Sequence, residues 1–298
     1  MSESSLTPLG RRRAGPSRLA AALAAALALS ASALVHAATD EAARALLPDD
    51  IKQKGTLAVA MPLDFEPFNW LDEKNQPVGI DVDMIRAIGE RLGLKVDIQR
   101  MGFASMIPSV SGGRVDAAMS AMGILPARLP LVSFVRYGHF SNGLVVRQGN
   151  PTHVRNDDAC GHTISVEKGT QPLLVWEKKS AECVAAGKPK IELMVFEGKG
   201  PQVLAVESGR AEAAGVGYAT GIVAAKHSNG KLEAAPGGPV PGATVECGIA
   251  FNKQNVRLGQ AMEAALKTLV ADGTYDKIWA AYDLSAERAA PALIQQAP

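Results

Sequence analysis

The stretch DAAMSAMGILPARLPLVSF, residues 116–134, sets Arg128 just past an apolar run, two positions after Pro126, where the only other charge is Asp116. A guanidinium is a planar fork of five N–H donors, and its characteristic chemistry is bidentate pairing with a carboxylate. Pro126 suits the first turn of a helix, because its missing N–H would have no partner there. That predicts Arg128 in a helical first turn, beside backbone N–H groups that also favour an anion. Read alone, an arginine so placed serves as readily on the surface or in a structural ion pair.

Groups for covalent or metal chemistry do not assemble into motifs. The histidines are His36, His139, His153, His162 and His227, and none belongs to an HExxH or to a Cys/His cluster at metal-binding spacing. There is no GxSxG elbow, no GxxxxGK[ST] phosphate loop and no GxGxxG turn. A serine or cysteine nucleophile whose histidine comes from elsewhere in the chain leaves no local signature. The expectation is a protein without cofactor or metal, and not an enzyme.

The elements that would position Arg128 follow an α/β alternation. Residues 38–51 read as a loose lead-in. KGTLAVAMP is a strand ending at Pro62, and DFEPFNWLDEKNQPVGI a loop and hairpin hanging from its end. Asp81 or Asp83 is expected to cap the helix DMIRAIGERLGL, whose Ile85, Ile88 and Leu92 share a face and which Gly93 stops. KVDIQRM is a strand, FASMIPSVSGG a short helix and VDAAMSAM a buried strand. The second half repeats the plan through ISVEKGTQ, PLLVWEKKSAECVAAG, KIELMVF, PQVLAVESG, AEAAGVGY and TGIVAAKHSNG. It closes on the amphipathic helix VRLGQAMEAALKTLVADG, with GTYDKIWAAYDL behind it. GRVDAA at 113–118 recurs as GRAEAA at 209–214, at the same place in both series. This points to two similar α/β lobes presenting strand ends to a shared cleft, where ligands of open α/β sheets bind.

Composition bounds the role. The 298 residues are 47% hydrophobic and 20% charged, with net charge +1, which offers no basic surface for nucleic acid. Arg11, Arg12, Arg13 and Arg18, the run LAAALAAALALSASALV and the small residues around His36 read as a secretory signal peptide over residues 1–37. The other reading is a membrane anchor, but the run is short for a span of about 20 residues. Without its four arginines and one glutamate the charge falls from +1 to −2. Export permits disulfides. Cys160 and Cys183 bracket one segment while Cys247 lies far off in the apolar VECGIAF, so a Cys160–Cys183 bond with Cys247 free is expected, against three reduced core thiols.

Taken in order, these pieces resemble the polar amino-acid family of periplasmic solute-binding proteins of ABC transporters. The likeness runs from KGTLAVAM through DFEPFNW, VGIDVDMIRAIGERLGL, MIPSVSGGRVDAAMSAMGILPAR, ISVEKGTQ, ESGRAEAA and GIAFNK to LVADGTYDKIW. CGHTISVEKGTQ and ECVAAGKPKI also look like members with a cysteine pair in the second lobe. The resemblance implies a two-lobed type II binding-protein fold with two crossing strands near Ser141–Arg147 and Ala243–Phe251. Lobe one would be 52–144 plus 248–285, and lobe two 145–247. It implies a small carboxylate-bearing ligand, an amino acid above all, delivered to a membrane permease by a periplasmic monomer.

Carried across residue by residue, Phe65 matches an aromatic that stacks on ligand and Phe103 a second wall. Ser120, Met122 and Gly123 match the segment that meets the ligand's carboxylate and ammonium. Arg128 matches the arginine that pairs with the α-carboxylate, and Thr170 a threonine near it, with Gln171 alongside. Each aromatic is also readable as core. The chain departs from the family at Ala121, Gly123 and Leu125. It departs most at Gly217, where an aspartate usually holds the ligand's ammonium. A buried ammonium without a counter-charge is costly, so either Asp64, Glu66 or Glu167 substitutes or the ligand lacks an ordinary α-amino group. Two other roles fit the scaffold. One is a cyclohexadienyl dehydratase-like enzyme with Glu167 as general acid, and the other a sensory protein that signals to a partner.

Overall fold

The computed structural model describes residues 39–295, and the expected signal segment lies outside them. Two short helices, α1 (Glu41–Ala45) and α2 (Asp49–Lys54), stand where the sequence predicts a loose lead-in. Asp40 caps α1, its carboxylate accepting the Ala43 N–H at 3.0 Å and the Thr268 hydroxyl at 2.5 Å. Ala43 of α1, Leu47 of the turn between the helices and Ile51 of α2 are all buried, which anchors the segment on the first-lobe core.

The run TLAVAM forms β1 (Thr56–Met61), buried from Leu57 onward as a parallel strand covered on both faces must be. The hairpin region makes a small antiparallel sheet of β2 (Asp64–Phe65), β3 (Asn69–Leu71) and β4 (Pro77–Val78). Helix α3 (Ile80–Leu92) follows, with Ile85, Ile88 and Leu92 inward. Then come β5 (Lys95–Arg100), α4 (Phe103–Ser111), β6 (Ala117–Ala118) and β7 (Val132–Phe140). The second lobe carries β8 (Asn142–Arg147), β9 (Thr163–Glu167), α5 (Gln171–Ala185) and β10 (Glu192–Phe196). It continues through α6 (Lys199–Glu207), β11 (Ala213–Gly217), α7 (Tyr218–Lys226) and β12 (Leu232–Ala234). The chain returns through β13 (Val245–Asn252) and ends with α8 (Val256–Ala271), α9 (Thr274–Ala281) and β14 (Arg288–Ile294).

The first sheet has the order β14–β7–β13–β6–β1–β5, the second β10–β9–β11–β8–β12. Each holds a parallel trio, β5–β1–β6 or β10–β9–β11, flanked by an antiparallel strand. The repeated hexapeptide does the same work in both. Asp116 accepts the Ala58 N–H at 2.7 Å, and Glu212 accepts the Thr163 N–H at 2.7 Å. Each residue's own N–H returns to the carbonyl of that neighbour, at 2.9 Å and 2.8 Å. The acid of the repeat therefore closes the ladder at the start of the parallel pair.

The chain crosses between sheets at Ser141 and again before Val245. Asn142–Leu144, placed with lobe one from the sequence, pair within the second sheet, and Val245–Cys247, placed with lobe two, pair within the first. Only Ser141 separates β7 from β8, so the chain runs on extended with no turn residue to mark where pairing changes partner. The two crossings are tied side by side, Ser141 Oγ to Thr244 Oγ1 at 2.8 Å and Asn142 Nδ2 to the Ala243 carbonyl at 2.6 Å. Strand β14 lies beyond the expected end of lobe one at residue 285. It is an edge strand whose register breaks between Arg288 and Ala292, around Pro291, where a missing N–H is tolerated.

Cys160 and Cys183 form a disulfide, and Cys247 is free and buried. The bridge ties the turn before β9 to the last part of α5 across 23 positions. A loop of that length restricts the unfolded chain by about 3 kcal/mol. Replacing both cysteines by serine is expected to lower the unfolding free energy by about that amount in urea, without altering the far-ultraviolet circular dichroism. An unchanged midpoint would show that the bond carries no stability.

Candidate ligand-binding site

A cavity of about 420 Å³ opens between the lobes, at the ends of the strands. Seven of the nine ligand contacts named from sequence line it: Phe65, Phe103, Ser120, Gly123, Thr170, Gln171 and Gly217. Met122 does not. Its side chain is fully buried in a first-lobe core cluster with Ala60, Met106 and Phe134, and its carbonyl accepts the Gly248 N–H at 3.0 Å. Ser120, Ala121 and Gly123 line the cavity while Met122 packs into that core instead.

Arg128 lies behind the lining, and no helix follows Pro126. Residues 126–130 form a turn in which the Arg128 N–H bonds the Leu125 carbonyl at 2.9 Å and the Val132 N–H bonds the Arg128 carbonyl at 3.1 Å. Pro130 accounts for this, since it cannot extend a helix and biases the preceding residue away from helical geometry. The expected helix-start N–H groups are therefore absent, and the guanidinium acts alone. It is 7% exposed, with its carbon 5.5 Å from the Phe103 ring centre. Nη1 donates to the Gly123 carbonyl and Nη2 to the Gly169 carbonyl, each at 2.6 Å. The first carbonyl belongs to lobe one and the second to lobe two, so the arginine spans the cleft. Gly169 has φ of +74°, a conformation that favours glycine at this turn. Burial pushes the Arg128 pKa down to about 10, and no carboxylate among the described residues offsets it.

Ser120 and Ala121 are held from behind by groups whose connection the sequence does not reveal. Asp81, expected as a cap of α3, is fully buried, and Gly79 takes the cap position without a side-chain bond. Its carboxylate accepts from Tyr137 Oη at 2.5 Å, Asn69 Nδ2 at 2.9 Å and the Ala121 N–H at 3.1 Å. Asn69 also donates to Ser120 Oγ at 3.1 Å, and the Ala121 N–H also reaches Tyr137 Oη at 3.0 Å. Ala121 has φ of +40°, unfavourable for a residue with a Cβ, so this double anchor holds a strained backbone at the cavity wall. Burial pushes Asp81 up to about 7, against three donors that favour its charge.

The opposite wall has Gly217 where the family carries its acid. A Cβ there would stand 2.8 Å from Thr220 Oγ1, so a side chain at this position would displace the hydroxyl that donates to the Gly217 carbonyl. Of the three acids named as substitutes, Asp64 and Glu167 line the cavity. Glu66 does not, and it pairs with His227 Nδ1 at 2.7 Å instead. Glu167 is 3% exposed, and burial raises its pKa while Lys199, 3.4 Å away, draws it down. Lys199 itself is absent from the residues named from sequence, because acids alone are expected on this wall. Gln171 Oε1 is buried with no partner among the described residues, an acceptor open to a ligand's N–H. Thr170 Oγ1 donates to the Glu167 carbonyl at 2.7 Å, which fixes the turn under the cavity.

The profile described as bacterial extracellular solute-binding proteins, family 3, matches residues 57–284. The chain belongs to that family. Among its relatives, the arginine-binding protein ArgT of Corynebacterium glutamicum is 27% identical over 263 residues, covering 86% of this chain and 83% of its own. The lysine/arginine/ornithine-binding periplasmic protein of Escherichia coli K12 is 26% identical, covering 84% and 94%. An ancestral arginine-binding protein bound to arginine superimposes with a TM-score of 0.67 at 28% identity, over 76% of this chain and 98% of its own. The solute-binding protein thus has the two-lobed fold of these receptors, and its cavity lies in the cleft between the lobes.

Asp81 gives this binding protein a pH signature. Its carboxyl is held near 7 in the fold, against an ordinary value of 3.8, so the unfolded chain ionises first as pH rises. The stability it contributes is complete below about pH 4 and is lost towards pH 7. Unfolding free energies in urea are expected to decline over that window for the wild type relative to Asp81→Asn, whose residue 81 does not titrate. Parallel pH profiles for the two proteins would contradict the assignment.

Proposed function

We propose that this solute-binding protein is the periplasmic receptor of an ABC importer, and that it takes an amino acid into the cleft with the α-carboxylate at Arg128. The observation that carries this reading is a buried guanidinium with two of its five donors on backbone carbonyls and no carboxylate partner among the described residues. A ligand carboxylate supplies the missing charge and joins both lobes through one side chain. Ser120 Oγ and the ring of Phe103 complete that end. Gln171 Oε1 and Asp64 face the rest of the ligand, including its ammonium, in place of the aspartate that Gly217 lacks.

The relatives named above carry the names of amino-acid-binding proteins, and the role here is likewise binding rather than catalysis. Glu167, which a dehydratase would need as a free acid, is paired with Lys199. In this reading residues 1–37 are a signal peptide, the mature chain is a periplasmic monomer, and closure of the lobes presents it to a membrane permease.

Titration calorimetry with the twenty amino acids is expected to give saturable one-to-one binding of at least one, with no turnover. Arg128→Lys keeps a charge but loses the fork, and is expected to weaken that ligand by roughly tenfold or more. Unchanged affinity in a variant with a wild-type circular dichroism spectrum would remove Arg128 from the binding role.

A further inference from the structure

The carboxylate reading leaves Lys199 unused. It is the first residue of α6, its side chain is 12% exposed, and it lines the cavity from lobe two. Nζ stands 4.4 Å from the centre of the Phe65 ring on lobe one and 3.4 Å from Glu167 Oε2. Glu167 also feels Asp64, which raises its proton affinity as Lys199 lowers it. An aromatic face and a buried carboxylate are the two groups that would hold a cationic side chain of a ligand. In this chain both already hold an ammonium that the protein supplies.

A ligand guanidinium or ammonium brought to the same place would stand beside Nζ in a cleft with little water, where like charges repel strongly. The charges of the site point the same way. Arg128 and Lys199 balance Asp64 and Glu167, which leaves a net cation uncompensated. An ammonium has three N–H donors. One faces Glu167 and one the ring, which leaves a donor for an acceptor on the ligand.

We infer that Lys199 sets the specificity of the cleft: the site takes an amino acid whose side chain ends in an amide or carboxylate, and rejects cationic ones. This rests on the amino-acid reading above, and it departs from the arginine in the relatives' names.

Calorimetry on the wild type, Lys199→Met and Lys199→Arg, with L-glutamine, L-glutamate, L-asparagine, L-aspartate, L-leucine and L-arginine, tests it. The wild type is expected to bind one of the amide or acidic amino acids at least tenfold tighter than arginine or leucine. Lys199→Met, which keeps the stem and loses the charge, is expected to weaken that ligand at least tenfold and to tighten arginine. Lys199→Arg keeps the charge and is expected to keep rejecting arginine, which separates a charge effect from a folding defect. Wild-type preference for arginine or leucine overturns the inference while leaving the amino-acid reading intact. So does a Lys199→Met variant with unchanged ligand ratios. Failure of the wild type to bind any of the twenty amino acids overturns both.

Discussion

A positive charge that is almost out of water, and shared by two lobes, organises this molecule. Arg128 bonds one carbonyl on each side of the cleft, and burial works against its charge with no acid among the described residues to compensate. Breaking a buried charge away from its partners is far more costly than any surface contact. The lobes are therefore coupled at the point where a carboxylate would complete the charge balance. The turn at Gly169, the bend at Pro126 and Pro130 and the strand end at Gly123 all serve to place three groups around one guanidinium.

The wall beside it is rigid for a separate reason. Asp81 of α3 gathers Tyr137 of β7, Asn69 of β3 and the Ala121 N–H beyond β6 onto one carboxylate. Such a network holds Ala121 in a left-handed conformation that it would not adopt in isolation, and aligns Ser120 with the cavity. Lys199 does the corresponding work across the cleft, reaching from α6 to the Phe65 ring. Arg128 and Lys199 set their charges against Asp64 and Glu167, with Phe65 beneath the lysine.

Much of this is legible in the order and spacing of the residues. Periodicity locates the strands and most helices, and the recurring Gly-Arg-x-acid-Ala-Ala marks the start of the third parallel strand in each lobe, because one carboxylate has the same ladder to close in both. Arg128 stands out in an apolar segment, but its sequence leaves open whether it is a surface group, and the structure buries it against a carbonyl of each lobe. The site is illegible where local pattern and distant contact compete. An aspartate in a first helical turn looks like a cap, and the partner that makes Asp81 a buried anchor is Tyr137, far along the chain. Met122 and Gly123 look alike as neighbours on a strand, yet only Gly123 lines the cavity. Lys199 in GKGPQ reads as a solvated helix start, because nothing in the sequence says that Glu167 and Phe65 meet there.

If a carboxylate on the ligand satisfies Arg128, a change on the ligand shows it without disturbing the protein. Calorimetry would compare the tightest-binding amino acid with its α-carboxamide, which keeps the ammonium and side chain and loses the negative charge. The carboxamide is expected to bind at least a hundredfold more weakly, about 2.7 kcal/mol. Equal affinity for the two would contradict it.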